Sequence, residues 1–209
     1  MVARIGKARR ERIGTPYDLL VVGLGNPGSE YARTRHNVGA DVVDLLGQRH
    51  DIRLKADSKV SSLVGDGRIG DRRLALAFPM TYMNDSGLAV SQLVRRYGVD
   101  DLTKLLIVHD ELDLPQGRMK LKAGGGLAGH NGLRSIASHL RSQDFLRIRI
   151  GVGKPPGGPD RGADWVLGRV SKRDRSELDV VIAEAADAVE LTLDGRFDTA
   201  MQRYNATPA

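Results

Sequence analysis

Tyr17-Asp18-Leu19-Leu20-Val21-Val22-Gly23-Leu24-Gly25-Asn26-Pro27-Gly28 is the stretch that decides the fold, and His36 and Asn37 follow it by eight residues. Tyr17 to Gly23 reads as a buried strand and the glycine-rich run as a tight turn. Asn37 to His50 reads as a helix, with Val38, Val42, Val43, Leu45 and Leu46 near helical spacing. Strand, turn and helix in this order open an α/β unit and bring a His-Asn pair close to a strand end.

Working outward, Ser58 to Val64 and Arg68 to Phe78 are β-like runs separated by Gly65-Asp66-Gly67, which predicts a hairpin and an antiparallel pair. Thr81 to Tyr97 reads as helical after its start, and Gly98 supplies a stop. Leu105 to His109 is a strand ending in acidic residues, Met119 to Leu121 a further short strand, and Gly124-Gly125-Gly126 a break. Asn131 to Leu140 reads as a helix, and Phe145 to Val152 as a strand whose Arg147 and Arg149 share one face. Gly153 to Asp160, rich in proline and glycine, reads as a connector, and Ser171 to Leu193 as a closing helix. Interspersed strands and helices with one hairpin predict a single α/β domain built on a mixed sheet.

The 209 residues, 41% of them hydrophobic, suit one globular domain, since domains commonly run to roughly 100–200 residues. No cysteine is present, which excludes disulfides, thiolate metal sites and thiol nucleophiles. The apolar runs are strand-sized, so no membrane span is expected. Met1 to Gly14 carries five Arg/Lys residues without an apolar core, so residues 1–16 read as a flexible basic extension and not as a secretory signal. A formal charge of +6 favours a polyanionic partner, and an aromatic content of 4% argues that any RNA contact leans on phosphates more than on base stacking.

Gly23-x-Gly25-x-x-Gly28 matches the dinucleotide fingerprint in letters only. The fingerprint's third glycine opens a helix and an acidic residue about 20 positions on ends a second strand. Here Pro27 interrupts the turn, and Asp41 and Asp44 fall on the predicted helix. Asn26 can both donate to and accept from peptide groups. His36, at or before a helix start, is expected to be held neutral by the helix dipole, and a neutral imidazole is what a general base must be. His109-Asp110-Glu111-Leu112-Asp113, at a strand's C-terminal end, is open to three readings: a solvated turn, a metal site, or the source of a carboxylate that orients a histidine. Pro79 to Gly87 and Gly124 to Gly132 each read as a helix cap or connector, yet each carries an asparagine, Asn84 or Asn131. No Gly-x-Ser-x-Gly nucleophile motif occurs, so water activated by a base is the economical nucleophile.

Taken together, the segments at 23–28, Tyr31 with 34–39, 79–87, 109–117 and 124–135 resemble, in order, those of the bacterial peptidyl-tRNA hydrolases, across Asp18 to Asn205. The resemblance implies a monomeric, cytoplasmic enzyme that needs no metal or cofactor, with residues 17–209 forming a twisted mixed sheet surrounded by helices. It implies hydrolysis of the ester between a peptide and the 3′-terminal ribose of tRNA. His36 would be the general base and Asp110 its orienting carboxylate. Asn26, Asn84 and Asn131 would hold water, carbonyl and peptide, with Tyr31, Met83 and His130 lining the cleft. Lys122 and Arg149 would clamp the 5′-terminal phosphate of the acceptor stem. Leu127-Ala128 departs from the polar or glycine pair usual there. Two other readings compete: a non-catalytic RNA-binding relative of the same fold, and a metal-dependent phosphodiesterase using His109, Asp110, Glu111 and Asp113.

Overall fold

The computed structural model describes residues 16–158 and 161–206. Apart from Pro16, the basic extension therefore lies outside the described residues. The first strand, β1 (Leu19–Gly23), is buried throughout, and its residues alternate between two cores as period-two side chains must. Leu19 and Val21 face one core, Leu20 and Val22 the other. α1 (Val38–Arg49) follows and buries Val38, Val42, Val43 and Leu46 against the first core, as its spacing predicts.

The remaining strands are β2 (Lys55–Asp57), β3 (Ser62–Ile69), β4 (Arg72–Pro79), β5 (Leu105–Glu111), β6 (Met119–Ala123) and β7 (Leu146–Gly151). They form one seven-stranded mixed sheet in the order β2-β3-β4-β1-β5-β7-β6. β4, β1, β5 and β7 are mutually parallel, while β2, β3 and β6 pair antiparallel at the edges. α2 (Ser86–Tyr97) and α3 (Asn131–Leu140) supply the second core. α5 (Lys172–Leu193) and α6 (Phe197–Asn205) cover the first with α1. Gly98 ends α2 in the left-handed conformation, with φ 67°.

Several elements differ from the sequence reading, the short strand β2 among them. The hairpin turns at Gly70 and Asp71, and Gly65-Asp66-Gly67 lies inside β3, paired with Leu76, Ala75 and Leu74. These glycines serve close approach: a Cβ on Gly65 would lie 2.9 Å from both Ile52 Cγ2 and Arg53 O, and one on Gly67 2.8 Å from Ile52 Cγ1. A six-residue helix, α4 (Gly162–Leu167), follows the proline-glycine connector. α6 packs against β6, where the Asn205 side chain accepts from Leu121 N at 2.7 Å and donates to Leu121 O at 2.8 Å. Its amide thereby takes the place of a neighbouring strand and blunts the sheet edge. The C-terminal ends of the adjacent parallel strands β4, β1 and β5 lie side by side, the position where open α/β sheets place their sites.

Candidate active site

The site begins with a backbone crossing that only glycines permit. As β1 ends, Leu24 N donates to Val108 O on β5 and Leu24 O accepts from Ala40 N on α1. A Cβ on Gly23 would lie 2.0 Å from Gly39 O, and one on Gly39 2.2 Å from Val108 O. One on Gly25 would meet Asn37 Cγ at 2.9 Å. The buried Asn37 amide uses that space: its Oδ1 accepts from Asn26 N and its Nδ2 donates to Asn26 O, both at 2.9 Å. Asn37 thus copies a strand partner and fixes the residue beside it.

Asn26 is thereby aimed. Its Oδ1 accepts from Met83 N at 2.8 Å, in the single turn 83–85 that precedes α2. The oxygen being engaged, Nδ2 is left as a donor in the cavity that Asn26 lines.

His36 lies in the short turn 35–37 before α1. Its Nδ1 is 2.9 Å from Asp110 Oδ1 and 3.1 Å from Oδ2, so Nδ1 carries the proton and Nε2 keeps its lone pair. Asp110, 3% exposed at the end of β5, also receives Nε2 of His130 at 3.0 Å. Burial pushes the Asp110 carboxyl up, but the two histidines outweigh it and hold it far below the usual carboxylate range. For His36, burial lowers proton affinity, yet the Asp110 charge and hydrogen bond leave it raised above its ordinary 6.5. The expectation that the helix dipole sets a neutral histidine is thus corrected: the carboxylate in contact wins over a partial charge.

The acidic cluster does not converge. Glu111 turns to Arg149, whose Nε and Nη2 donate to its Oε2 at 3.1 and 3.0 Å. Asp113 pairs at the surface with Lys154 at 3.1 Å. His109 is fully buried, with Nδ1 2.6 Å from the Asp110 carbonyl, and burial foremost holds its proton affinity well below the usual value. Among the described residues, the only three metal-capable side chains that meet are His36, Asp110 and His130. His130 Nδ1 accepts from Leu133 N at 3.3 Å as the cap of α3, which keeps the proton on Nε2, the atom a metal would need.

A cavity of about 400 Å³ opens over these groups. Asn26, His36, Met83, Asn84, Asp110, His130 and Asn131 all line it. Tyr31 does not; it closes the turn 29–31, half-buried, accepting from Thr34 through its carbonyl. The lining also includes Tyr82, Ala128 and the α4 residues Gly162, Ala163, Val166 and Leu167, which sequence reasoning missed. Six residues are too few for a periodic signal, so α4 left no mark in the pattern. Asn37 was legible only as a neighbour of His36. No serine, threonine, cysteine or lysine lies in the wall, so among the described residues the cavity offers no side-chain nucleophile of those kinds.

Lys120, Lys122, Arg147 and Arg149 share one face of β6 and β7, as their alternation predicts. Arg147 is not a solvated cation, however. It is 1% exposed, and its guanidinium donates to the carbonyls of Gly124, Gly125 at 2.6 Å and Gly126 at 2.8 Å. This pins the glycine loop that leads to His130 and Asn131. Leu127 packs on the second core, and Ala128 adopts a left-handed φ of 49°.

The profile of the peptidyl-tRNA hydrolase family matches residues 20–209. A peptidyl-tRNA hydrolase of Mycolicibacterium gilvum is 47% identical over 188 residues, covering 90% of this chain and 97% of the relative. One of Rhodococcus erythropolis is 49% identical over 186 residues, covering 89% and 97%. The crystal structure of peptidyl-tRNA hydrolase from Acinetobacter baumannii aligns with a TM-score of 0.86 at 42% identity, over 92% of this chain and 97% of that one.

The His36-Asp110 geometry makes a direct expectation. In a pH titration followed by NMR, the His36 imidazole should lose its proton with a midpoint above 6.5, and Asp110→Asn should move that midpoint down. A midpoint unchanged by the substitution would contradict the pairing.

Proposed function

The chain belongs to the peptidyl-tRNA hydrolase family, and on that premise we propose that His36 is the general base for hydrolysis of the ester joining a peptide to the 3′-terminal ribose of tRNA. One observation carries this reading: a histidine fixed by a buried carboxylate presents its open Nε2 to a cavity without a nucleophilic serine, threonine, cysteine or lysine. Water is then the nucleophile.

In this mechanism a water hydrogen-bonded to His36 Nε2 attacks the ester carbonyl. The new C–O bond forms as the water proton passes to Nε2, and Asp110 stabilises the resulting imidazolium. Asn26 Nδ2, held by the Met83 and Asn37 contacts, donates to the oxygen that gains charge. The C–O3′ bond then breaks, and His36 returns the proton to the ribose O3′. Base catalysis contributes only ~10²–10⁴-fold, so positioning by the asparagines supplies much of the remainder. Asn84 carries no protein hydrogen bond through its side chain among the described residues and is free for peptide groups. The Asn131 Oδ1 accepts from Arg134 Nη2, which leaves its amide nitrogen as the donor. A free aminoacyl ester would bring a charged α-ammonium against these donors, and this favours N-blocked substrates.

Lys122, assisted by Arg149, would hold the 5′-terminal phosphate of the acceptor stem. Recognition of this kind rests on backbone and duplex shape, and suits an enzyme serving many tRNAs. The same reading makes the protein a cytoplasmic monomer; no helix among the described residues is long and apolar enough to cross a membrane. The divergence of His109, Glu111 and Asp113 from Asp110 argues against the phosphodiesterase reading.

Asp110→Asn should lower kcat by about 10²–10⁴-fold with little change in tRNA affinity, because an amide facing Nδ1 can favour the wrong imidazole tautomer. Equal turnover by variant and wild type would remove Asp110 from the mechanism, and loss of wild-type activity in chelator would revive the metal reading. Lys122→Ala should weaken tRNA binding and flatten its dependence on log salt by about one unit. An unchanged slope would return Lys122 to a solvated strand face.

A further inference from the structure

We infer that His130 is a positioning residue that sets the basicity of His36 through the carboxylate they share. The inference rests on the reading of His36 as the base. Asp110 Oδ1 is 2.9 Å from His36 Nδ1 and 3.0 Å from His130 Nε2, whereas Oδ2 faces His36 alone at 3.1 Å. The direction of the His130 bond is fixed from its other side: the Leu133 N–H at the start of α3 occupies Nδ1, so Nε2 donates. A carboxylate oxygen that serves two N–H donors holds an imidazolium at either one less tightly than it would alone.

The surroundings leave this sharing as the adjustable interaction. His109 stacks edge-on behind the His130 ring, with centroids 4.8 Å apart, and its Nδ1 proton lies on the Asp110 carbonyl. Glu111, on the same strand, is paired with Arg149 from β7. Arg147 is turned into the glycine-loop carbonyls, and Arg134 on α3 donates to Asn131. α4, packed on the His36 turn, lines the cavity with Gly162, Ala163, Val166 and Leu167, none of them charged.

The sharing answers a conflict in the His36-Asp110 pair. A buried carboxylate is needed to fix the Nδ1 tautomer, yet it also favours the protonated imidazole, which cannot act as a base. A second donor on the same oxygen keeps the tautomer and weakens the hold on the proton.

The test replaces His130 with Phe, which removes the donor and excludes water, and with Gln, whose amide can donate to Asp110. The His36 titration is followed by NMR in each folded variant, beside the pH dependence of kcat/KM with N-acetyl-aminoacyl-tRNA. The expected result is a His36 midpoint displaced to higher pH in His130→Phe. kcat/KM on the acid limb should then fall about threefold through that displacement, equivalent to half a pH unit, while His130→Gln, which keeps a donor on Asp110, should leave the His36 midpoint close to its wild-type position. His130→Leu serves as the donor-free variant if Phe is not accommodated. A His36 midpoint unmoved or lowered in a folded donor-free variant overturns the inference. A midpoint that moves while the acid limb stays in place supports the sharing and instead fails the reading of His36 as the base.

Discussion

Everything in the site depends on how closely the end of β1 approaches the start of α1. Gly23 against Gly39, Gly39 against Val108 O and Gly25 against the Asn37 amide are contacts that no side chain could enter without moving backbone. Overpacking a site of this kind costs typically ~1–3 kcal/mol or more, and here the displaced atoms would carry the cavity residues Asn26 and His36 with them. The approach lets Asn37 bond both backbone groups of Asn26, and it sets His36, one residue earlier, over the end of β5. The glycine run resembles a nucleotide fingerprint in letters because both use glycine for close backbone approach. What fills the space here is an asparagine from the same chain.

The second constraint is electrostatic. Asp110 is almost completely buried, which would raise its proton affinity, but two imidazole N–H groups on its oxygens keep it ionised. Both donors are anchored: one comes from the turn beside Asn37, whose amide bonds the Asn26 backbone, the other from a histidine capping α3. α3 is itself pressed onto the site, since a Cβ on Gly132 would lie 2.6 Å from Met83 Sδ. Met83 in turn supplies the N–H that orients Asn26. His36, Asp110 and Asn26 therefore form one hydrogen-bonded and packed unit drawn, with Met83 and His130, from five chain segments.

Much of this was legible in the sequence, for identifiable reasons. β1, α1 and the stop at Gly98 follow from periodicity and from the left-handed freedom of glycine, both local properties. The site asparagines and histidines were legible as segments in family order, and the structure brings seven of the eight cleft residues to one cavity. The exception, Tyr31, closes the turn 29–31, where its carbonyl accepts from Thr34, and is not part of the cavity wall. What could not be read depended on partners distant in sequence. Gly65 and Gly67 signal a turn by composition but serve the passage of Ile52. Arg147 alternates with Arg149 as a surface residue would, yet its charge is consumed by three carbonyls over twenty residues away. α4 and the edge-covering α6 owe their places to tertiary contacts.

The proposed mechanism requires that His36 activate water at this cavity. The most direct measurement is release of N-acetyl-amino acid from N-acetyl-aminoacyl-tRNA by wild type and by His36→Ala, in chelator, with unacetylated aminoacyl-tRNA as the control. Hydrolysis of the blocked ester by wild type, with kcat reduced at least ~10²-fold in a folded, tRNA-binding His36→Ala, is the result this mechanism requires. Comparable turnover by the two proteins, or none by a wild type that still binds tRNA, would contradict it.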